Sequence, residues 1–349
     1  MRGLIWTLAV TVCLTTCLGE VEKPVIEFQT VAAKDVCAWP NLTELPDESI
    51  VASIFNQPGH GSLPGDVDCW ATTDGGKTWQ LRGTAAPRDN ATSNRMNVAA
   101  GLATDGDMVV IASGYGEIGA DKPFSERVLV AKVYRSWDGA RSWIVTSDLP
   151  MAPDGAHLIP FGDITVANDG SMRVLCYTAW KTWATYMLTS RDEGRSWAEP
   201  VKIGEGINEG APLHLGEGKW IAVIRTVSPA DCRLYTSDDD GATWTDRGPV
   251  TEASQHPAHL LKLKDGRVLM TYGNRRQERP GVEAKFSSDG GLTWTDPLRI
   301  QELPMVDLGY PASLELADRR VLTAYYAHSG PGYDGYHMGA VVWKLPEAQ

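Results

Sequence analysis

Short apolar runs recur along the chain at residues 49–55, 108–114, 128–135, 172–180, 220–225, 267–272, 321–327 and 339–343. They are rich in Val, Ile, Tyr and Thr, and many alternate apolar with polar positions. Clusters of Gly, Asp, Ser and Pro separate them. A period of two bounded by turn residues predicts β-strands, and no stretch sustains a helical period.

Between these runs an eight-residue signature appears five times. The first copy is Thr72-Thr73-Asp74-Gly75-Gly76-Lys77-Thr78-Trp79, and the others occupy 136–143, 190–197, 237–244 and 287–294. Each reads Ser/Thr-x-Asp-x-Gly-x-Ser/Thr-Trp, except that Ala140 takes the Gly position in the second. An Asp two residues before a Gly is a turn sequence. The carboxylate accepts backbone N–H bonds, the Gly takes a positive φ, and the Trp anchors the following strand. Asp74, Asp138, Asp192, Asp238 or Asp239, and Asp289 are therefore expected to fasten hairpins and to do no chemistry. Counting back from Trp244 selects Asp239 in the fourth copy. A repeat of roughly 50 residues implies one supersecondary unit used many times. The fold expected is an all-β, six-bladed β-propeller. Five blades carry the signature, and the sixth is built partly from Gly309 onward and partly from the N-terminal segment.

Composition narrows the partners. The formal net charge of −12 disfavours nucleic acid and anionic membranes. No run after the first twenty residues is long enough to span a bilayer. Arg2 precedes an apolar stretch at 4–18, the pattern of a secretory signal with cleavage after Gly19. Leu14-Thr15-Thr16-Cys17 offers a lipid anchor as the alternative. Residues 1–19 are thus read as a signal and 20–349 as one domain, placing the protein outside the cell, in the periplasm or at the cell surface. Export leaves Cys37, Cys69, Cys176 and Cys232, as buried thiols or with one structural bridge. No zinc-ligand spacing is present, and no cofactor is implied.

The repeated signature is the Asp-box, and over essentially the whole mature chain the sequence resembles the sialidase superfamily. That resemblance implies a glycoside hydrolase acting on terminal sialic acid or a related acidic sugar of a glycan or glycoconjugate. Its chemistry uses a Tyr nucleophile, a Glu that activates it, an Asp acid/base and three arginines around the substrate carboxylate. Tyr310, in Asp307-Leu308-Gly309-Tyr310-Pro311-Ala312-Ser313-Leu314, is similar to the family's nucleophile region, although Pro311 and Ala312 depart from it. Glu209, in Ile207-Asn208-Glu209-Gly210, matches the activating carboxylate, and Arg225 matches the second clamp arginine. Arg275 is the choice for the third, with Arg276 and Arg279 as competitors. The first clamp arginine is missing, with Ala38 in its place, and Arg95 is a candidate substitute from a neighbouring blade. Asp66 fits the acid/base position, followed by Asp68. His60 and Asp163 are added as substrate contacts, and His256 and His259 as nearby imidazoles. Trp180, Trp183 and Tyr186 form either a sugar platform or inter-blade packing. The alternative from another class is a propeller of the same fold that binds glycan or protein without turnover.

Overall fold

The computed structural model describes residues 24–117, 123–179, 182–198 and 200–347. The expected signal at 1–19, Cys17 and Trp180 lie outside the described residues. Apart from a single 3-10 turn at Phe124–Arg127, the described elements are β-strands. No helix among them is long and apolar enough to cross a membrane.

The strands form four-stranded antiparallel units in chain order. Blade 1 comprises Asn41–Glu44, Ile50–Phe55, Val67–Thr72 and Gln80–Ala86. Blade 2 comprises Asn97–Leu102, Met108–Ser113, Lys132–Ser136 and Ile144–Asp148. Blade 3 holds Ile159–Val166, Met172–Thr178, Ala184–Ser190 and Val201–Glu205, and blade 4 holds Ile207–Gly216, Lys219–Thr226, Cys232–Ser237 and Thr245–Pro249. Blade 5 is built from Gln255–Lys262, Val268–Asn274, Gly281–Ser287 and Leu298–Glu302. Blade 6 has Leu308–Glu315, Arg320–Gly330 and Tyr333–Lys344, and takes its outer strand from Ile26–Lys34. That N-terminal strand runs antiparallel to Tyr333–Lys344, with Thr30 opposite Ala340, and so closes the ring. Four blades stand as separate sheets. Blades 2 and 3 are joined by a short parallel contact, Gly162 with Ala99 and Asp163 with Ala100, into one eight-stranded sheet. The count of six holds when that sheet is divided into its two halves.

Packing explains which strands were visible in the sequence. In Arg320–Gly330, Leu322, Ala324 and Tyr326 pack with Ile50, Ala52 and Ile54 of blade 1. The intervening Val321, Tyr325 and Ala327 pack with Leu269, Val282 and Phe286 of blade 5. A strand with a neighbouring blade on each face must be apolar throughout.

All five signatures connect the third strand of a blade to the fourth. In the first, Lys77 N and Thr78 N each donate to Asp74 Oδ1 at 3.0 Å, Thr78 Oγ1 donates to Asp74 Oδ2 at 2.7 Å, and Gly76 N donates to Thr72 Oγ1. Trp79 Nε1 closes the turn on the Gly76 carbonyl. A Cβ on Gly76 would lie 2.6 Å from Leu322 Cδ1 of blade 6, with φ at +93°. Both facts favour glycine there. In the second copy Ala140 adopts φ +68° regardless, a left-handed conformation that costs an L-residue about 1–2 kcal/mol. The fourth copy uses Asp239, as the register from Trp244 indicates. The four described cysteines, Cys37, Cys69, Cys176 and Cys232, are buried free thiols, so no disulfide staples the described residues.

Candidate active site

The innermost strands of the blades run in the same sense and begin at one end of the ring. The Asp-box turns, two strand reversals later, lie at the other. At the starting end the ladders are irregular: registers slip between Phe161 and Thr165, Ile207 and Gly210, Gln255 and Ala258, and Gly309 and Ala312. Such bulges turn side chains out of the ladder and towards the axis.

Glu209 and Tyr310 occupy two of these bulges. The Tyr310 hydroxyl donates to Glu209 Oε1 at 2.5 Å. Arg225 Nη1 donates to Glu209 Oε2 at 2.7 Å and lies 3.5 Å from the Tyr310 oxygen. The Arg275 guanidinium sits 5.5 Å from the centre of the Tyr310 ring and donates through Nη2 to the Tyr326 hydroxyl at 3.1 Å. Arg225 is matched by Glu209, whereas among the described residues Arg275 has no carboxylate partner. Nε of both guanidiniums is buried without a hydrogen-bond partner. The cluster therefore holds spare cationic donors that suit an anion.

Tyr310 itself adopts φ +47° after Gly309 at +122°. An aromatic residue in the left-handed region is held there only by its surroundings, and such strain concentrates at functional sites. Trp39, also left-handed at φ +43°, faces it with ring centres 5.7 Å apart. Phe161 stands edge-on to Tyr310 at 5.6 Å. Burial pushes the Tyr310 hydroxyl far above the ordinary tyrosine range; the Glu209 carboxylate adds to this, while Arg225 and Arg275 oppose it. The resting nucleophile candidate is thus a neutral phenol touching a carboxylate. His256 lies beside the two arginines and is 5 % exposed. Burial, with Arg225 and Arg275 adding to it, drops its pKa to about 2, so it is neutral.

A second network adjoins the first. Asp307 accepts from the Tyr326 hydroxyl at 2.6 Å, from Tyr336, and faces His60 Nε2 at 3.1 Å. Burial opposes its ionisation, but the hydrogen bonds from His60, Tyr326 and Tyr336 outweigh that and hold the carboxyl well below its usual range. His60 packs on Trp39 at 5.1 Å and on Tyr326 and Tyr336 at 5.8 Å.

Beneath Tyr310 is a cavity of about 30 Å³, about the size of one water. Asn41, Val98, Gly162, Ala211, Ala258 and Ala312 line it, one from the innermost strand of each blade. This places Tyr310 on the propeller axis. A much larger depression of about 860 Å³ lies elsewhere, around Glu27, Asp265, Arg267, Asp318, Arg319, Arg320 and Lys344. Its cations are all paired with its own carboxylates, so it offers no comparable recognition.

The structure thus unites Tyr310, Glu209, Arg225 and Arg275, and brings His60 beside them. Six other candidates, Arg95, Arg276, Arg279, Asp66, Asp68 and Asp163, are engaged or exposed elsewhere. Arg95 is 1 % exposed and bonds to the Ala112 and Val130 carbonyls and to Asp89, a structural post within blade 2. Arg276 points outward to Glu252, and Arg279 is exposed. Asp66 is held by Arg88, through the backbone N at 2.7 Å and Nη1 at 2.5 Å, in a surface groove lined by neither Tyr310 nor Glu209. Asp68 is likewise engaged by Asn56 and Thr84. Asp163 spans the channel, bonded to Asn41 of blade 1 at 2.8 Å and His259 of blade 5 at 2.9 Å, and so ties alternate blades together. Trp183 stacks on Tyr177 at 6.5 Å, and Tyr186 is buried in the core between blades 2 and 3. Ala38 is fully buried, with Trp39 next to it turned into the mouth.

Sequence reasoning missed Trp39, Asp307, Tyr326 and Tyr336 as parts of the site. Asp307 stands three residues before Tyr310 across a Gly, and Tyr326 lies in a strand that was read correctly. The pattern did not reveal that these tyrosines bond to Asp307, because that contact forms only when the sixth blade folds.

This is an Asp-box β-propeller of the sialidase superfamily, with a Tyr–Glu pair and two arginines gathered on its axis. Residues 51–323 match the family described as BNR repeat-like domain, and the chain belongs to that family. It is 23 % identical over 315 residues to a sialidase of Micromonospora viridifaciens, an alignment that covers 78 % of this chain and 48 % of that protein. The chain thus spans about half the length of that curated relative. A crystal structure of a protein of unknown function from Dyadobacter fermentans superposes with a TM-score of 0.78 at 21 % identity, covering 92 % of this chain and 99 % of the other. Trypanosoma rangeli sialidase, solved as a covalent intermediate with 2,3-difluorosialic acid, gives 0.67 at 15 % identity, covering 89 % and 54 %. At these identities the structural likenesses establish the fold.

Proposed function

We propose that this protein is an exported glycoside hydrolase of the sialidase type, releasing a terminal sialic acid or a related carboxylate-bearing sugar from glycoconjugates with retention. The 2.5 Å contact between the Tyr310 hydroxyl and Glu209 carries this reading. These residues lie in different blades, and nothing in blade packing requires their union. A phenol approaches an anomeric carbon that already bears a carboxylate without the repulsion a carboxylate nucleophile would meet. Because the Tyr310 proton is held tightly at rest, attack needs a base in contact, and Glu209 is that base. Arg275, unpaired, and Arg225, shared with Glu209, bind the sugar carboxylate.

The test uses purified protein with a panel of fluorogenic glycosides that includes sialosides, and with 2,3-difluorosialic acid as a trap. Turnover of a sialoside and a mass-spectrometric adduct on Tyr310 are expected. Tyr310→Phe lowers kcat by at least about 100-fold with little change in sugar binding. Full activity in that variant refutes the mechanism. The missing clamp arginine at Ala38 favours a second reading, a glycan-binding propeller without turnover. Binding on glycan arrays with no cleavage of any glycoside supports that reading.

A further inference from the structure

The site described above has a nucleophile, its base and an anion clamp, but the carboxylate expected to serve the leaving group is absent from it. Both oxygens of Asp66 accept from Arg88 at the surface groove. A different proton carrier stands at the mouth. His60 occupies a glycine-flanked loop, with Gly61 at φ +67°, and its side chain is 46 % exposed. Nε2 lies 3.1 and 3.2 Å from the two oxygens of Asp307. That carboxylate is itself oriented by Tyr326 and Tyr336 and stays ionised. Trp39 and Tyr326 each touch both the His60 ring and the Tyr310 ring, so the imidazole and the nucleophile line one opening.

We propose that His60, oriented by Asp307, is the acid/base of the reaction. The proposal rests on the sialidase-type reading. An ionised carboxylate bonded to one imidazole nitrogen fixes the tautomer, stabilises the imidazolium and leaves the other nitrogen for proton transfer. Nε2–H is committed to Asp307, so Nδ1 is the working atom. In the first step the Tyr310 oxygen bonds to the anomeric carbon while the bond to the leaving oxygen breaks. The leaving oxygen keeps that electron pair and takes the Nδ1 proton of the imidazolium, and Glu209 takes the phenol proton. In the second step neutral Nδ1 removes a proton from water as its oxygen bonds to the anomeric carbon. The Tyr310 oxygen departs and recovers its proton from Glu209. His60 ends protonated, and the cycle closes.

The groups facing His60 are Asp307, Tyr326 and Tyr336 from blade 6, and Trp39 from the N-terminal loop. Behind them are His328 on Tyr336, Arg275 on Tyr326 and Cys37 close enough to feel Asp307. Of the groups in direct contact, Asp307 is the charged one.

The experiment compares wild type with His60→Asn, Asp307→Asn, Asp66→Asn and Tyr310→Phe on two probes, an aryl sialoside whose leaving group needs no proton and sialyllactose, whose sugar leaving group does. His60→Asn should lower kcat/KM on sialyllactose by about 100-fold or more and on the aryl sialoside by under about 10-fold, and abolish the basic limb of the pH profile. Asp307→Asn should show the same leaving-group split at smaller magnitude, because the imidazole loses the partner that orients it. Asp66→Asn should match wild type on both probes. If Asp66→Asn shows the leaving-group split and His60→Asn does not, the assignment of His60 is overturned while the Tyr310 mechanism stands. An equal loss on both probes in His60→Asn also overturns it. Full activity of Tyr310→Phe, or cleavage of neither probe by wild type, sinks the sialidase reading and this inference with it.

Discussion

The two ends of this propeller are built by opposite means. At the Asp-box end each carboxylate is held by residues two to four positions away, and the same turn is made five times. At the mouth, Tyr310 meets Glu209 across 101 positions and His60 meets Asp307 across 247. The first end fixes the shape of each blade. The second exists only because six blades place their inner strands, four of them bulged, around one axis. Local repeated contacts stabilise the fold, and long-range unrepeated ones carry the chemistry.

Substitutions at the two ends should therefore separate cleanly. The largest effect is expected from Glu209→Gln, which keeps the size of the side chain but removes the base. On a cleaved sialoside kcat should fall by about 100-fold or more while the melting temperature barely moves. A large stability loss with normal turnover would erase the distinction between the ends. Arg225→Ala should come next, raising KM for carboxylate-bearing substrates by about 10-fold or more and for neutral glycosides hardly at all. Asp192→Ala reverses the pattern. It leaves Ser196 and the turn amides without their acceptor, so Tm should drop by about 2–8 °C with kcat unchanged.

Acid should also probe the box end. Burial alone would raise the Asp74 pKa, but hydrogen bonds from Thr78, Thr72 and Lys77 outweigh it and bring it down to about 2. An unfolded Asp titrates near about 4. This turn therefore contributes its stability above about pH 4, and that contribution fades as pH falls towards about 2. Asp74→Asn should flatten the Tm-against-pH curve in this window; an unchanged slope would show that the turn bonds survive protonation. The smallest effect is expected from Ala140→Gly. It relieves the left-handed alanine, offset by the extra freedom of glycine in the unfolded chain, so stability should rise by no more than about 1 kcal/mol, read as a small gain in Tm.

What the sequence alone could tell follows from the same division. The runs at 49–55, 172–180, 220–225 and 321–327 correspond to Ile50–Phe55, Met172–Thr178, Lys219–Thr226 and Arg320–Gly330, each the second strand of its blade. These strands are apolar on both faces because a blade packs on each side. The outer strands were invisible, since a segment such as Thr245–Pro249 is almost wholly exposed and reads as loop. The inner strands were also hidden, because Gln-His-Pro-Ala-His and Leu-Gly-Tyr-Pro-Ala carry the glycines and prolines of bulges rather than a clean alternation. The Tyr310, Glu209, Arg225 and Arg275 assignments came from resemblance in the flanking residues, and the folded chain brings them together. Asp66 and Arg95 had equally suitable residue types and positions. Only the tertiary structure separates them, because a nearby Arg88 captures one and Asp89 with two carbonyls captures the other. The sequence determined the repeat, its turns and the strands buried on two faces, since those depend on contacts within a few residues or on total burial. Which charged groups reach the axis was decided by the closure of the ring, since it depends on which partner each group meets first.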